Sequence, residues 1–179
     1  MEIDVRAQHT WVADTFRYQI TVNKGGGYAA KYYLDIKKIT QEMHHWFVHI
    51  YVDSEILDSA YMLEFYDIEA LNFTVGQKRS AFDTYTTMNY TFRERELLFV
   101  RGVGEAIINF VFVARSQARL VFSAPLRPAL AKIYDSLLKK HAHRVQYLYK
   151  TEFIKDGLYV IEIQRIRTTA GTGFNRSEH

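Results

Sequence analysis

The sequence predicts a strand-rich α/β domain, a mixed sheet carrying one amphipathic helix over residues 125–143. Aromatic residues make up 15% of the chain, with 13 Tyr and 12 Phe, and such side chains favour strands, where they pack on a pleated, half-buried surface. Residues 16–36 alternate between apolar and polar with the strand period of two. Near the other end, Leu126, Leu130, Ile133, Leu137 and Leu138 recur at three and four residues, the spacing of a helix face.

The alternation places Phe16, Tyr18, Ile20 and Val22 on one side of a strand and Arg17, Gln19 and Thr21 on the other. It resumes with Tyr28, Ala30, Tyr32, Leu34 and Ile36 opposite Lys31, Asp35 and Lys37. Between the runs stand Gly25, Gly26 and Gly27, which read as a hairpin turn needing positive φ; they lack the strand-to-helix context of a phosphate cradle. A third strand is expected over residues 45–52, with His45 and His49 on one face about 7 Å apart. No third ligand stands at a metal-binding spacing, so no metal site is assigned. Residues 61–66, 72–75 and 84–92 read as short strands, residues 54–61 as one or two helical turns, and residues 77–83 as a loop. In the C-terminal helix Pro128 occupies the first turn, where a missing N–H costs little. Lys132, Asp135, Lys139 and Lys140 face outward, and His141 and His143 suit the negative end of the helix dipole.

With 179 residues, 48% of them hydrophobic, the chain can bury a substantial core. Two prolines, no repeat and no low-complexity tract make residues 1–167 a single domain, followed by a frayed tail over 168–179. The 23 basic and 20 acidic residues leave a net charge of +3. Its basic pairs, such as Lys37-Lys38, Lys78-Arg79 and Lys139-Lys140, are too short to form a nucleic-acid stripe. The absence of cysteine excludes a disulfide, a thiolate nucleophile and a zinc-cysteine site. The N-terminus lacks the features of a secretory signal, and no apolar run approaches the roughly 20 residues of a membrane span. A cytoplasmic protein without nucleic-acid or membrane partners is the expectation.

Function turns on the stretch after Leu97, where an apolar run meets Arg101, Gly102, Val103, Gly104, Glu105 and Ala106. A strand entering a glycine loop that opens a helix would present free backbone N–H groups at the positive end of the helix dipole, an arrangement that binds pyrophosphate. The spacing of Arg101, Gly104 and Ala106 resembles the acyl-coenzyme-A signature of the GNAT acyltransferase superfamily. So does the order downstream: a helix over 105–116, a strand over 119–122, the helix over 125–143 and a closing strand over 157–166. That resemblance covers about the last 65 residues. It implies a GNAT-like fold in which residues 101–106 bind acetyl-CoA or another acyl-CoA. It further implies that Tyr134 protonates the departing thiolate during transfer to a small-molecule or peptide amine.

The residues themselves leave a second reading open. The Ile, Val and Phe content of residues 106–115 suits a strand, and a hairpin joining residues 97–100 to 107–113 would remove the phosphate loop. The architecture would then be an antiparallel, barrel-like sheet with one flanking helix, and the protein a non-catalytic ligand-binding or protein-interaction module.

Overall fold

The computed structural model describes residues 1–45, 47, 54–69, 88–114, 117–123, 128–141 and 147–163. It is a mixed α/β structure around one seven-stranded sheet, ordered β1-β2-β3-β4-β5-β7-β6. The strands are β1 (Glu2–Gln8), β2 (Thr15–Gly25), β3 (Tyr28–Lys38), β4 (Ala60–Asp67), β5 (Leu120–Ser123), β6 (Tyr147–Lys150) and β7 (Tyr159–Ile163). Every neighbouring pair is antiparallel except β4 and β5, which run parallel. The sheet is open, with β1 and β6 at its edges, so the barrel-like alternative does not hold.

The expected hairpin forms as β2 and β3, in register from Thr15↔Lys37 to Gly25↔Tyr28. Gly25, Gly26 and Gly27 have φ of 79°, 61° and 86°, the left-handed region where a Cβ is strained. Of the apolar positions of the alternation, Tyr18, Ile20, Val22, Ala30, Tyr32, Leu34 and Ile36 are buried and Phe16 half-buried, while Tyr28, beside the turn, is exposed. Residues 61–66 fall within β4, and the helical turn expected after Ser54 forms as α2 (Ser54–Leu57), following α1 (Gln41–His44).

Two expected strands fail at their described ends. His45 closes a helical turn, with its Nδ1 2.6 Å from the Glu42 carbonyl, and the Phe47 N–H donates to the His44 carbonyl at 2.9 Å. The strand expected from 45 therefore does not start there, and residues 46 and 48–52 lie outside the described residues. So do 72–75, 77–83 and 84–87. At Thr91 the expected strand over 84–92 gives way to a helix N-cap.

That helix, α3 (Phe92–Ala114), holds the main departure from the sequence reading. It runs for 23 residues, α-helical over Phe92–Leu98 and Glu105–Asn109, with wider π-helical turns over Phe99–Gly104 and Phe110–Ala114. The expected strand at 97–100, the loop at 101–104 and the hairpin to 107–113 are absent. Local β-propensity of Ile, Val and Phe is overridden because their side chains find a sheet to cover. Leu98, Val103, Ala106, Phe110 and Val111 are buried, and Phe110 meets Phe16 at 5.2 Å and Tyr61 at 4.8 Å between ring centroids. An 18-residue stretch of the helix has a mean hydropathy of 1.8, so by length and composition it could cross a membrane; one face of it is spent on the sheet.

A smaller core lies on the opposite face of the sheet, where Leu57 and Phe47 pack with Ala60, Leu120, Phe122 and Val160. Of the helix expected over 125–143, α4 (Pro128–His141) forms, with 125–127 and 142–143 outside the described residues; β6 follows, a strand that the sequence pattern does not mark. His141 ends α4, buried with Nε2 3.1 Å from Glu96 of α3, so this histidine ties the two helices together.

The start of α3 is set by a reciprocal cap. The Glu94 N–H donates to the Thr91 hydroxyl at 3.2 Å, and the Thr91 N–H donates to the Glu94 carboxylate at 2.8 Å. Lys24 of β2 adds a bond to the same carboxylate at 2.9 Å. The Thr91 backbone bond first, then Lys24, lowers the Glu94 pKa from 4.5 to about 2. A depressed carboxylate stabilises the fold above its unfolded pKa and loses that contribution as pH falls through the folded one. Urea unfolding of Glu94→Gln should therefore show its largest deficit above about pH 4.5, converging on the parent as pH approaches 2. A deficit independent of pH would show that the charge is not what matters.

Candidate functional site

The parallel pair β4–β5 is short. Its ladder runs from Ala60↔Leu120 to Met62↔Phe122, whereas β4 continues to Asp67. Where this ladder ends, a cleft lies beneath α3 and α4. The cleft is small, about 40 Å³, and opens to solvent. Leu63 and Phe65 come from β4, Phe99, Val103 and Ile107 from α3, Leu138 from α4, and Tyr159 and Ile161 from β7; Val121, Phe122 and Ser123 of β5 complete it. A cleft at the carboxyl ends of parallel strands, where the chain changes direction, is where open α/β sheets bind ligands.

Strand periodicity explains the wall of β4, since residues 63 and 65 project to the α3 side together with Leu34 and Ile36, their neighbours in register. The first π-helical turn contributes to the other wall, because its extra width resets the face of α3 so that Phe99, Val103 and Ile107 fall in line. Polar groups are few: the Ser123 hydroxyl and Tyr159, whose pKa is pushed up by burial. Next to the cleft, Phe65 stacks on Tyr32 at 5.1 Å, and the Tyr32 and Tyr90 hydroxyls lie 2.9 Å apart.

The residues singled out in the sequence do not form a phosphate loop. Arg101 and Glu105 are exposed, Ala106 is fully buried in the core, and of the six only Val103 lines the cleft. Gly102 serves packing: a Cβ there would lie 3.1 Å from both Ile20 Cγ2 and Leu98 Cδ1. Gly104 has ordinary helical angles, φ −63° and ψ −43°. Tyr134 lies within α4, one turn before Leu138.

A second group of polar residues carries no motif in the sequence. Arg17 and Asp35 face each other across the β2–β3 register, and the guanidinium donates twice to the carboxylate, at 2.7 Å each. Tyr66 donates to Asp35 at 2.8 Å and accepts from Arg17 at 2.9 Å. Asp35 is only 2% exposed, so the network is closed on itself and its donors and acceptors are answered. A signal for it does exist: once the hairpin turn is placed, the register pairs 17 with 35. Among the described residues no cluster of His, Asp or Glu could hold a metal.

These features define an open, mixed α/β sheet with an apolar cleft at its single parallel junction. The chain matches no family model, and no curated protein or solved structure is similar to it.

The two glycines of α3 should respond oppositely to substitution. Gly102→Val forces Ile20 or Leu98 to move and should destabilise by about 1 to 3 kcal/mol. Gly104→Ala meets only the Phe99 carbonyl at 3.4 Å and should be neutral or stabilising by up to about 1 kcal/mol, the helix-interior preference for Ala. Denaturant titration measures both, and a large loss at Gly104 would point to a backbone role there.

Proposed function

We propose that the protein binds an acyl-coenzyme A through the cleft between β4 and β5 and works as a GNAT-like acyltransferase. The apolar cleft at the end of the β4–β5 ladder carries the reading. An apolar cleft suits an acyl chain, and the β4 edge at residues 63–65, past the end of the β5 ladder, offers extended backbone at the spacing of an amide-bearing ligand. The order of elements supports it too: the helix, strand and helix of the resemblance recur as α3, β5 and α4 and its closing strand as β7, with β6 inserted between the last two. Binding is assigned to the cleft walls, with Val103 the one residue of the 101–106 segment among them. Tyr134 is the general acid in this reading, and an amine is the acceptor.

The scarcity of polar groups in the cleft favours one alternative, a module that binds an apolar ligand without chemistry. Thermal unfolding with acetyl-, butyryl- and hexanoyl-CoA tests both. A ligand at a hundredfold excess over its Kd stabilises by about 2.7 kcal/mol, and affinity should rise with chain length by up to about 0.8 kcal/mol per buried methylene. Ile107→Trp, which fills the cleft, should abolish the shift while leaving the circular dichroism spectrum unchanged. If no acyl-CoA shifts the transition, the acyl-CoA reading is lost. Where binding and acyl transfer to an amine are both seen, Tyr134→Phe should lower turnover by about 10²- to 10⁴-fold with little change in affinity. Binding without transfer to any amine establishes the non-catalytic alternative.

A further inference from the structure

The edge strand β1 has β2 as its sheet neighbour and no other among the described residues. Its side chains alternate: Ile3 and Val5 are half-buried against the α3 core, while Glu2, Asp4 and Arg6 are exposed on the other face. Charges on an edge strand usually prevent it from pairing with another strand. Here their order does not prevent pairing with a second copy of the same strand.

Consider two antiparallel β1 strands related by a twofold axis through Val5. Val5 then faces Val5 of the second copy, Ile3 faces its Ala7, Asp4 faces its Arg6 and Glu2 faces its Gln8. Apolar side chains meet on the α3 side, and the two opposite-charge pairs meet on the other. Moving the axis to Asp4 sets two aspartates face to face, and moving it to Arg6 sets two arginines face to face. A slip of one residue turns the second copy's helices to the opposite face of the sheet. Within one chain Arg6 already contacts Asp4 at 2.6 Å, with both side chains more than half exposed, so the charges can exchange partners without a new desolvation.

We propose that β1 is a self-association surface, pairing two copies antiparallel about Val5 into a continuous fourteen-stranded sheet, twice the seven strands of one chain. The occupant is a second copy because the charge order complements itself in that register. Two strands, β2 and β3, separate this edge from the cleft wall of β4.

Sedimentation equilibrium of the full chain should give a mass approaching twice 21.0 kDa, and a monomeric mass at the highest soluble concentration overturns the proposal. Asp4→Arg alone, or Arg6→Asp alone, removes two attractive pairs and creates two repulsive ones. Each should raise the dissociation constant about tenfold or more. The double variant, Asp4→Arg with Arg6→Asp, restores complementarity and should restore the dimer. Dimers that survive both single reversals place the interface elsewhere and refute this one. Because the chain has no cysteine, Val5→Cys gives a second readout that does not rely on charge. It should cross-link between copies under mild oxidation, whereas Leu148→Cys on β6, a position 42% exposed at the other edge, should not. Equal cross-linking at both positions also refutes the twofold pairing.

Discussion

The close seating of α3 on the sheet is the constraint on which the remaining architecture depends. It requires a glycine where the helix crosses Ile20 and large apolar groups such as Phe110 on either side of that contact. A helix packed this way carries the chain from the end of β4 back to the start of β5, and a return of that kind makes the two strands parallel. Since β5 is only four residues long, the parallel ladder is short, and α3 also covers the cleft at its end. Cleft and crossover are therefore one feature.

Electrostatics has a supporting part. The closed Arg17–Asp35–Tyr66 network lies on the face away from α3, where it joins β2, β3 and β4 without apolar cover from the helix. Arg17 also rests over the Tyr33 ring at 4.5 Å. A buried carboxylate is tolerable there because two charge-assisted bonds and a phenol answer it. On the α3 side, polar contacts sit at helix ends instead, with Lys24 paired to the Glu94 cap, and Lys140 paired and His141 hydrogen-bonded to Glu96. They fix the helices relative to the sheet and to each other, and thereby the width of the cleft.

The functional reading moves accordingly from a motif to a place. Arg101, Gly104 and Ala106 have the spacing of a phosphate-binding signature, but inside a continuous helix their peptide groups bond along the helix axis. In the proposed acyl-CoA complex the ligand sits instead in the apolar cleft at the end of the β4–β5 ladder.

What the sequence determined by itself is whatever rests on short-range periodicity and turn chemistry. The β2–β3 hairpin, its glycine turn, β4 and the amphipathic α4 could all be read from residues a few positions apart, because pleat, helix pitch and positive φ leave local marks. The register, and with it the Arg17–Asp35 pair, was implicit in the hairpin. The tertiary structure alone decided the state of residues 92–114. Phe99, Val100, Ile107 and Val111 suit strand and helix alike, and a glycine in close packing looks the same in sequence as a glycine in a loop. Burial against the sheet settles the choice, since a continuous helix can cover Ile20, Phe16 and Tyr61 together while a hairpin there would leave them without that helix face. The cleft was hidden for the same reason: its walls come from β4, α3, α4 and β7, and only the parallel crossover brings them together.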